Sequence, residues 1–297
     1  PYTTTGTYTD STDDEFNVTP TAVNIGNISG ASAVAAGNGK LAIKWTDPAA
    51  TVVSDGVTLA TWASTKIVVK AGSYATSPDD SAAAYSLNVT TRNQYANSAL
   101  TVTGLTNGTT YYISFFPIST DGAVNVNTSN RITGVPNRLT ISTVPSQSGT
   151  LTYNKNSQSP SWSNYDTSKM TIGGTTSGTN ASTYNATFTP KSDYCWSDGT
   201  TTAKTVSWKI GKATGTLTVS KTSVTVDKDN LTTTFTIGGN HDGTLSVKSN
   251  NTSIATVSLS GNTATVSHVN QTTGNTTITV SCGAGTNYTA PSNKTVD

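Results

Sequence analysis

The chain has 297 residues, room for two or three small domains, and only 11% of them are charged and 7% aromatic. Its 17 basic and 16 acidic residues give a formal charge of +1 with no basic run, which excludes the electrostatic footprint of a nucleic-acid binder. No apolar stretch reaches membrane-span length and no signal-peptide pattern opens the chain, so no span is expected; a processed start stays open because Pro1, not Met, comes first.

Thr, Ser, Asn and Gly fill the space left by charge. Thr is β-branched and sits well on a half-exposed pleated surface, and no segment shows a helical apolar period, so the fold class is all-β. Low net charge and abundant β-branched residues argue against disorder. Cys195 and Cys282 fall in different predicted domains and are expected to be free, buried and structural, which suits folding in a reducing cytoplasm. Asn-x-Ser/Thr matches such as Asn88 and Asn185 follow from composition.

Residues 1–24 are polar and Thr-rich and read as an extended N-terminal arm, a connection or a strand lent to a neighbouring subunit. Its acidic run Asp13-Asp14-Glu15 has the carboxylates of a divalent-cation site; without a spaced ligand loop it reads as a solvated turn, and no metal or cofactor is expected.

Residues 25–137 form the first predicted sandwich. Strands are expected at Ala33–Ala36, Leu41–Trp45, Lys66–Lys70, Ala99–Val102, Tyr111–Ile118 and Asn130–Thr133, with Gly37-Asn38-Gly39 as a tight hairpin. The run Gly104 to Thr120 is a corner feeding an aromatic strand. Tyr111, Ile113 and Phe115 fall on one face, Tyr112 and Ser114 on the other. Tyr111, six residues after Leu105, has the spacing of a tyrosine corner, its ring buried and its hydroxyl bonded to the turn backbone. Segments 55–62 and 74–95 read as long loops. Trp62, Tyr74, Tyr85, Arg92 and Tyr95 are therefore the ligand-contact candidates, each set against the plainer reading of packing on the module's own surface.

Together with Trp45 in LAIKWTDP, the corner and its strand resemble a fibronectin type III module, which implies that Trp45 packs beneath the corner tyrosine. More narrowly, GNGKLAIKWTDP, TWASTKIVVKAGS and GLTNGTTYYISFFP resemble the fibronectin-like modules of structural proteins from tailed bacteriophages of Gram-positive bacteria.

Residues 138–211 form the second predicted sandwich. Tyr184, Ala186 and Phe188 alternate cleanly, as do Val206, Trp208 and Ile210, and Asp198-Gly199 is a turn. NASTYNATFTP and YCWSDGTT resemble bacterial immunoglobulin-like domains. Trp162 with Tyr165, and Tyr194 with Trp196, are candidate sugar-stacking platforms set against the plainer reading of a core role; the second pair is the better candidate because i and i+2 share a strand face. Trp208 is assigned to structure.

Residues 212–297 carry seven short apolar–polar alternations, at Leu217–Val219, Val224–Val226, Thr234–Ile237, Leu245–Val247, Ile254–Val257, Ala264–Val266 and Ile278–Val280, the pattern of a third sandwich. SNNTSIATVSLSGNTATVS and TTITVSCGAGTNY resemble the bacterial group 2 immunoglobulin-like family. At KTVD the last strand is expected to be incomplete or completed by residues outside the sequence.

Catalytic residues are not expected. The histidines are His241 in a turn and His268 at a strand end, and GxSxG, HExxH, CxxC and phosphate-cradling loops are all missing from the sequence. The resemblances imply tandem immunoglobulin-like/fibronectin type III β-sandwiches in a virion structural protein of the tail, fibre or surface decoration. Expected partners are other virion proteins through the N-terminal arm, further copies of the chain within an assembly, and host-surface polysaccharide. The alternatives are a bacterial cell-surface adhesin or accessory module of a secreted protein, and a mechanical spacer without ligand.

Overall fold

The computed structural model describes residues 23–269 and 273–297; the predicted arm and its Asp13-Asp14-Glu15 run lie almost entirely outside the described residues. The described residues are all-β, and no helix among them is long and apolar enough to cross a membrane. The chain divides into two compact units, residues 1–139 and 140–297.

The first unit contains β1 (Ser29–Gly37), β2 (Lys40–Thr46), β3 (Thr51–Ser54), β4 (Val57–Ala71), β5 (Tyr85–Val89), β6 (Leu100–Val102), β7 (Tyr111–Ser119) and β8 (Arg131–Gly134). One sheet runs β1-β2-β6. The other runs β3-β4-β7-β8, with β5 also paired to β4. Both sheets feed one core: Leu41, Ile43 and Trp45 from β2 and Val102 from β6 meet Ile67 and Val69 from β4 and Ile113 and Phe115 from β7. Side chains that alternate across each strand and bury one set against the facing sheet define a β-sandwich.

Two segments differ from the loop reading. Residues 57–62 open the 15-residue strand β4, which forms a hairpin with β3 through Asp55 (φ 50°) and Gly56 (φ 79°). An Asp-Gly pair with both residues at positive φ makes a two-residue hairpin turn whose twist matches the flanking strands. Within 74–95, Tyr85–Val89 pairs with Thr65–Val69. Residues 57–62 carry apolar side chains without a strict period of two, and the short alternation Tyr85–Val89 is set in a stretch rich in Ser, Asp and Asn, so neither stood out as a strand.

Strand β7 is covered on both faces. Its outward Phe116 packs with Val68, Ala75, Ala83 and Val124, so the segment between β4 and β5 closes over the outer sheet face. The Ser114 hydroxyl donates to the Ala75 carbonyl (3.3 Å), and Lys70 pairs with Asp80 at 2.9 Å. That hydrogen bond from Lys70, then the Ala82 backbone N–H, holds the Asp80 carboxyl below its ordinary value.

The second unit begins with β9 (Leu139–Ile141), β10 (Ser146–Ser148), β11 (Leu151–Thr152), β12 (Ser161–Ser163), β13 (Met170–Gly174), β14 (Ser182–Pro190), β15 (Tyr194–Trp196) and β16 (Lys204–Gly211). A four-stranded sheet β11-β16-β14-β13, with β11 parallel to β16, stands with the pairs β10-β12 and β9-β15. Ile141, Met170, Phe188, Trp196, Trp208 and Ile210 fill the core between them. Cys195 is free but only half-buried: Tyr194 and Trp196 point into the core, and the residue between them faces the other way.

It continues with β17 (Thr218–Val219), β18 (Thr232–Gly238), β19 (Leu245–Ser249), β20 (Ala255–Ser260), β21 (Thr263–His268), β22 (Ile278–Cys282) and β23 (Lys294–Val296). Sheet β17-β18-β21-β20 faces β19-β22-β23 across a core of Leu217, Phe235, Ile237, Val266, Ile278, Val280 and Val296. Cys282 is free and buried. One expected strand, Val224–Val226, forms no regular ladder. Instead the Val224 N–H donates to the Asp297 carbonyl (2.7 Å) and the Asp297 N–H to the Thr222 carbonyl (3.0 Å).

Candidate functional site

The corner that the sequence singles out docks on the first hairpin. Gly39 (φ 66°) lies so close to Leu105 that a Cβ would strike the Leu105 carbonyl, while the Leu105 N–H donates to the Gly39 carbonyl (3.0 Å). Asn107 accepts the Gly39 N–H (2.8 Å) and donates to the Asn38 side chain (2.8 Å). The Tyr111 hydroxyl accepts the Thr106 N–H at 3.0 Å, which ties ring and turn together. Leu105 and Tyr111 are both buried in the first core.

At the other end of β2, three of the five contact candidates lie around a buried carboxylate. Asp47 follows β2 and is 4% exposed. Its Oδ1 accepts from Trp45 Nε1 (2.9 Å) and from the Thr65 hydroxyl (2.7 Å), and its Oδ2 accepts the Asn93 N–H (2.7 Å). The Asp47 N–H donates back to Asn93 Oδ1 at 2.9 Å. Asn93 adopts φ 62°, a left-handed conformation that Asn tolerates better than most side chains. The Thr65 oxygen also accepts from Trp62 Nε1 (3.0 Å), and Arg92 donates through Nε to the Pro48 carbonyl (2.8 Å). The Trp45 ring contacts Tyr95 (5.0 Å) and Phe115 (5.1 Å).

Trp62, Arg92 and Tyr95, far apart in sequence, are thus fixed around one end of the first sandwich. Trp62 and Tyr95 are half-buried and Arg92 is exposed. Asp47, Thr65 and Asn93, which knit this end together while Pro48 holds Arg92 and Trp45 holds Tyr95, escaped the sequence reading. The available signal was an Asp closing a strand two residues after a Trp, in WTDP. With its oxygens met by three internal donors and its side chain out of solvent, Asp47 orders this surface.

The other candidates lie elsewhere. Tyr74 packs edge-on against Tyr112 (4.9 Å) under the Arg131 guanidinium (5.3 Å), outside the Asp47 group. Tyr85 packs against the first core; burial, then the neighbouring Tyr95, pushes its phenol up. Trp162 and Tyr165 are half-buried on Phe188, at 4.9 and 5.4 Å. Trp196 is corrected as a stacking platform: it is 1% exposed, its indole N–H donates to the Thr202 carbonyl (2.9 Å), and Lys204 lies over its ring at 5.4 Å. Shared strand direction carried Tyr194 and Trp196 together toward the core. Trp208 is buried beneath the stacked ring of Tyr184 (4.6 Å).

Among the described residues no group of three or more His, Cys, Asp or Glu side chains converges as a metal site. His241 is half-buried in its turn and His268 ends β21.

No protein-family model and no curated protein matches this chain. Among solved structures it is similar to the chicken CNTN1 FN1-FN3 domains, at 9% identity over 91% of this chain and 96% of that one, with a TM-score of 0.21. It is also similar to invasin, a bacterial integrin-binding protein, at 13% identity over 91% of this chain and 58% of that one, with a TM-score of 0.23. At these scores the architecture rests on this chain's own strand pairing: it is a series of β-sandwiches.

Proposed function

We propose that the chain is a non-enzymatic display protein of a bacteriophage particle, in its tail, fibre or surface decoration, whose sandwiches make weak, multivalent contacts with host-surface polysaccharide. The observation that carries this reading is the arrangement at one end of the first sandwich, where Trp62 is held through Thr65 to the buried Asp47 and Arg92 is held by the carbonyl of the adjoining Pro48. An aromatic face suits the apolar face of a pyranose ring, and a guanidinium at the same end of the sandwich suits its hydroxyls. Hydroxyl- and amide-rich strand faces suit the same ligand class. The virion assignment is supported by the phage-like runs GNGKLAIKWTDP and GLTNGTTYYISFFP, with other virion proteins engaged through residues 1–24.

Single contacts of this kind are millimolar, and display in many copies raises the apparent affinity by about 10²–10⁴. Copies of the chain coupled to a bead and offered a glycan array should bind through this end. Trp62→Ala and Arg92→Ala are each expected to weaken retention by at least about tenfold at high valency, because each copy's loss compounds. Equal retention by both variants, or no binding at any valency, would defeat the polysaccharide reading. Electron micrographs of the source particles, labelled with antibody to the chain, test the virion reading separately.

A further inference from the structure

We infer that the two sandwiches of residues 140–297 are bolted into one cooperative body by the loop Gly285–Thr289, with Asp242 as its catch. This goes beyond the functional reading and does not depend on it. The loop faces both ways. Within the later sandwich, Asp242 accepts the Asn287 N–H at Oδ2 (2.7 Å) and the Tyr288 N–H at Oδ1 (3.2 Å). The Gly285 N–H donates to the Tyr288 carbonyl (3.1 Å), and a Cβ at Gly285 would collide with the Asp242 carboxylate.

Toward the earlier sandwich, Asn287 Oδ1 accepts the Ala181 N–H (2.8 Å), and Tyr288, itself buried, meets Tyr153 edge-on at 5.3 Å. The connector is held as well. Ala213 donates to the Asn287 carbonyl and accepts the Thr289 N–H, both at 2.9 Å, and Lys212 Nζ reaches the Gly285 carbonyl at 2.6 Å. A connector paired on both sides of one residue has little freedom to bend. One loop thus carries backbone, side-chain and ring contacts into the preceding sandwich while a carboxylate fixes its shape, so loosening either sandwich costs contacts in the other.

The test is hydrogen exchange on the full chain, resolved by peptide. Val280→Ala removes apolar volume from the later core, more than 60 residues along the chain from β14 and β16. Coupling predicts that exchange in β14 and β16 accelerates by about tenfold, the factor expected for two lost methyl equivalents. Should Val280→Ala leave too little folded protein, Ile278→Val applies the same strain more gently. Unchanged exchange in β14 and β16 overturns the inference. Asp242→Asn and Gly285→Ala, each combined with the core variant, are expected to confine the acceleration to residues 217–296. Persistence of coupling in both combinations overturns the assignment of the catch.

Discussion

Asp47 shows how one side chain sets several others. Replacing it with Ala would leave the Trp45 indole N–H, the Thr65 hydroxyl and the Asn93 N–H without their acceptor in a site closed to water. The expected cost is about 3 kcal/mol in urea unfolding of residues 1–139, because buried donors are expensive to orphan. Loosening of Trp62 should accompany it, visible as a red shift of tryptophan emission. Asp198 belongs to a different class. The hydrogen bond from Lys204, then those from the Thr200 hydroxyl and backbone N–H, hold its carboxyl well below the ordinary value of 3.8. A lowered folded-state pKa means that the charged form is favoured by folding. Its contribution is therefore complete above pH 3.8 and is lost as the pH falls below that value. Asp198→Asn should flatten the acid limb of a stability–pH profile and leave the slope above pH 5 alone, read by thermal melts in matched buffers across about pH 2–7.

At the scale of elements, β3 and β4 show what turn chemistry controls. Gly56 sits at φ 79° with open space around a hypothetical Cβ, so substitution there tests backbone strain without a clash. Gly56→Ala should cost about 1 kcal/mol and speed exchange at Val52 to Val57, because an L side chain resists the left-handed region. A change that spread into β7 instead would show the hairpin to be part of the core. Legibility differed between elements for a physical reason. Long strands such as Leu41–Trp45 and Tyr111–Ile118 stood out; the four-residue Thr51–Ser54 and the five-residue Tyr85–Val89 did not, because segments so short are settled as strands by the neighbours that pair with them, even where, as in Tyr85–Val89, the alternation is clean. Val224–Val226 had the alternation and still formed no regular ladder, since alternation gives a segment a face but no partner.

For the whole molecule, the two thiols offer a simple check. Cys195 and Cys282 are free, so a reducing agent should leave every unfolding transition where it was in degassed buffer. A downward shift on reduction would reveal a disulfide and overturn the present arrangement.

The amino-acid order by itself determined the all-β class, the corner at Leu105–Tyr111 and the inward placement of Trp45 and Trp208, because period-two patterning and turn chemistry are local properties. Only the tertiary structure decided that Trp196 is lost to the core, that Asp47 links to Trp62 through Thr65, and that Tyr288 meets Tyr153. Those outcomes depend on which strand lies beside which, and sheet register joins residues whose separation along the chain carries no trace of their contact.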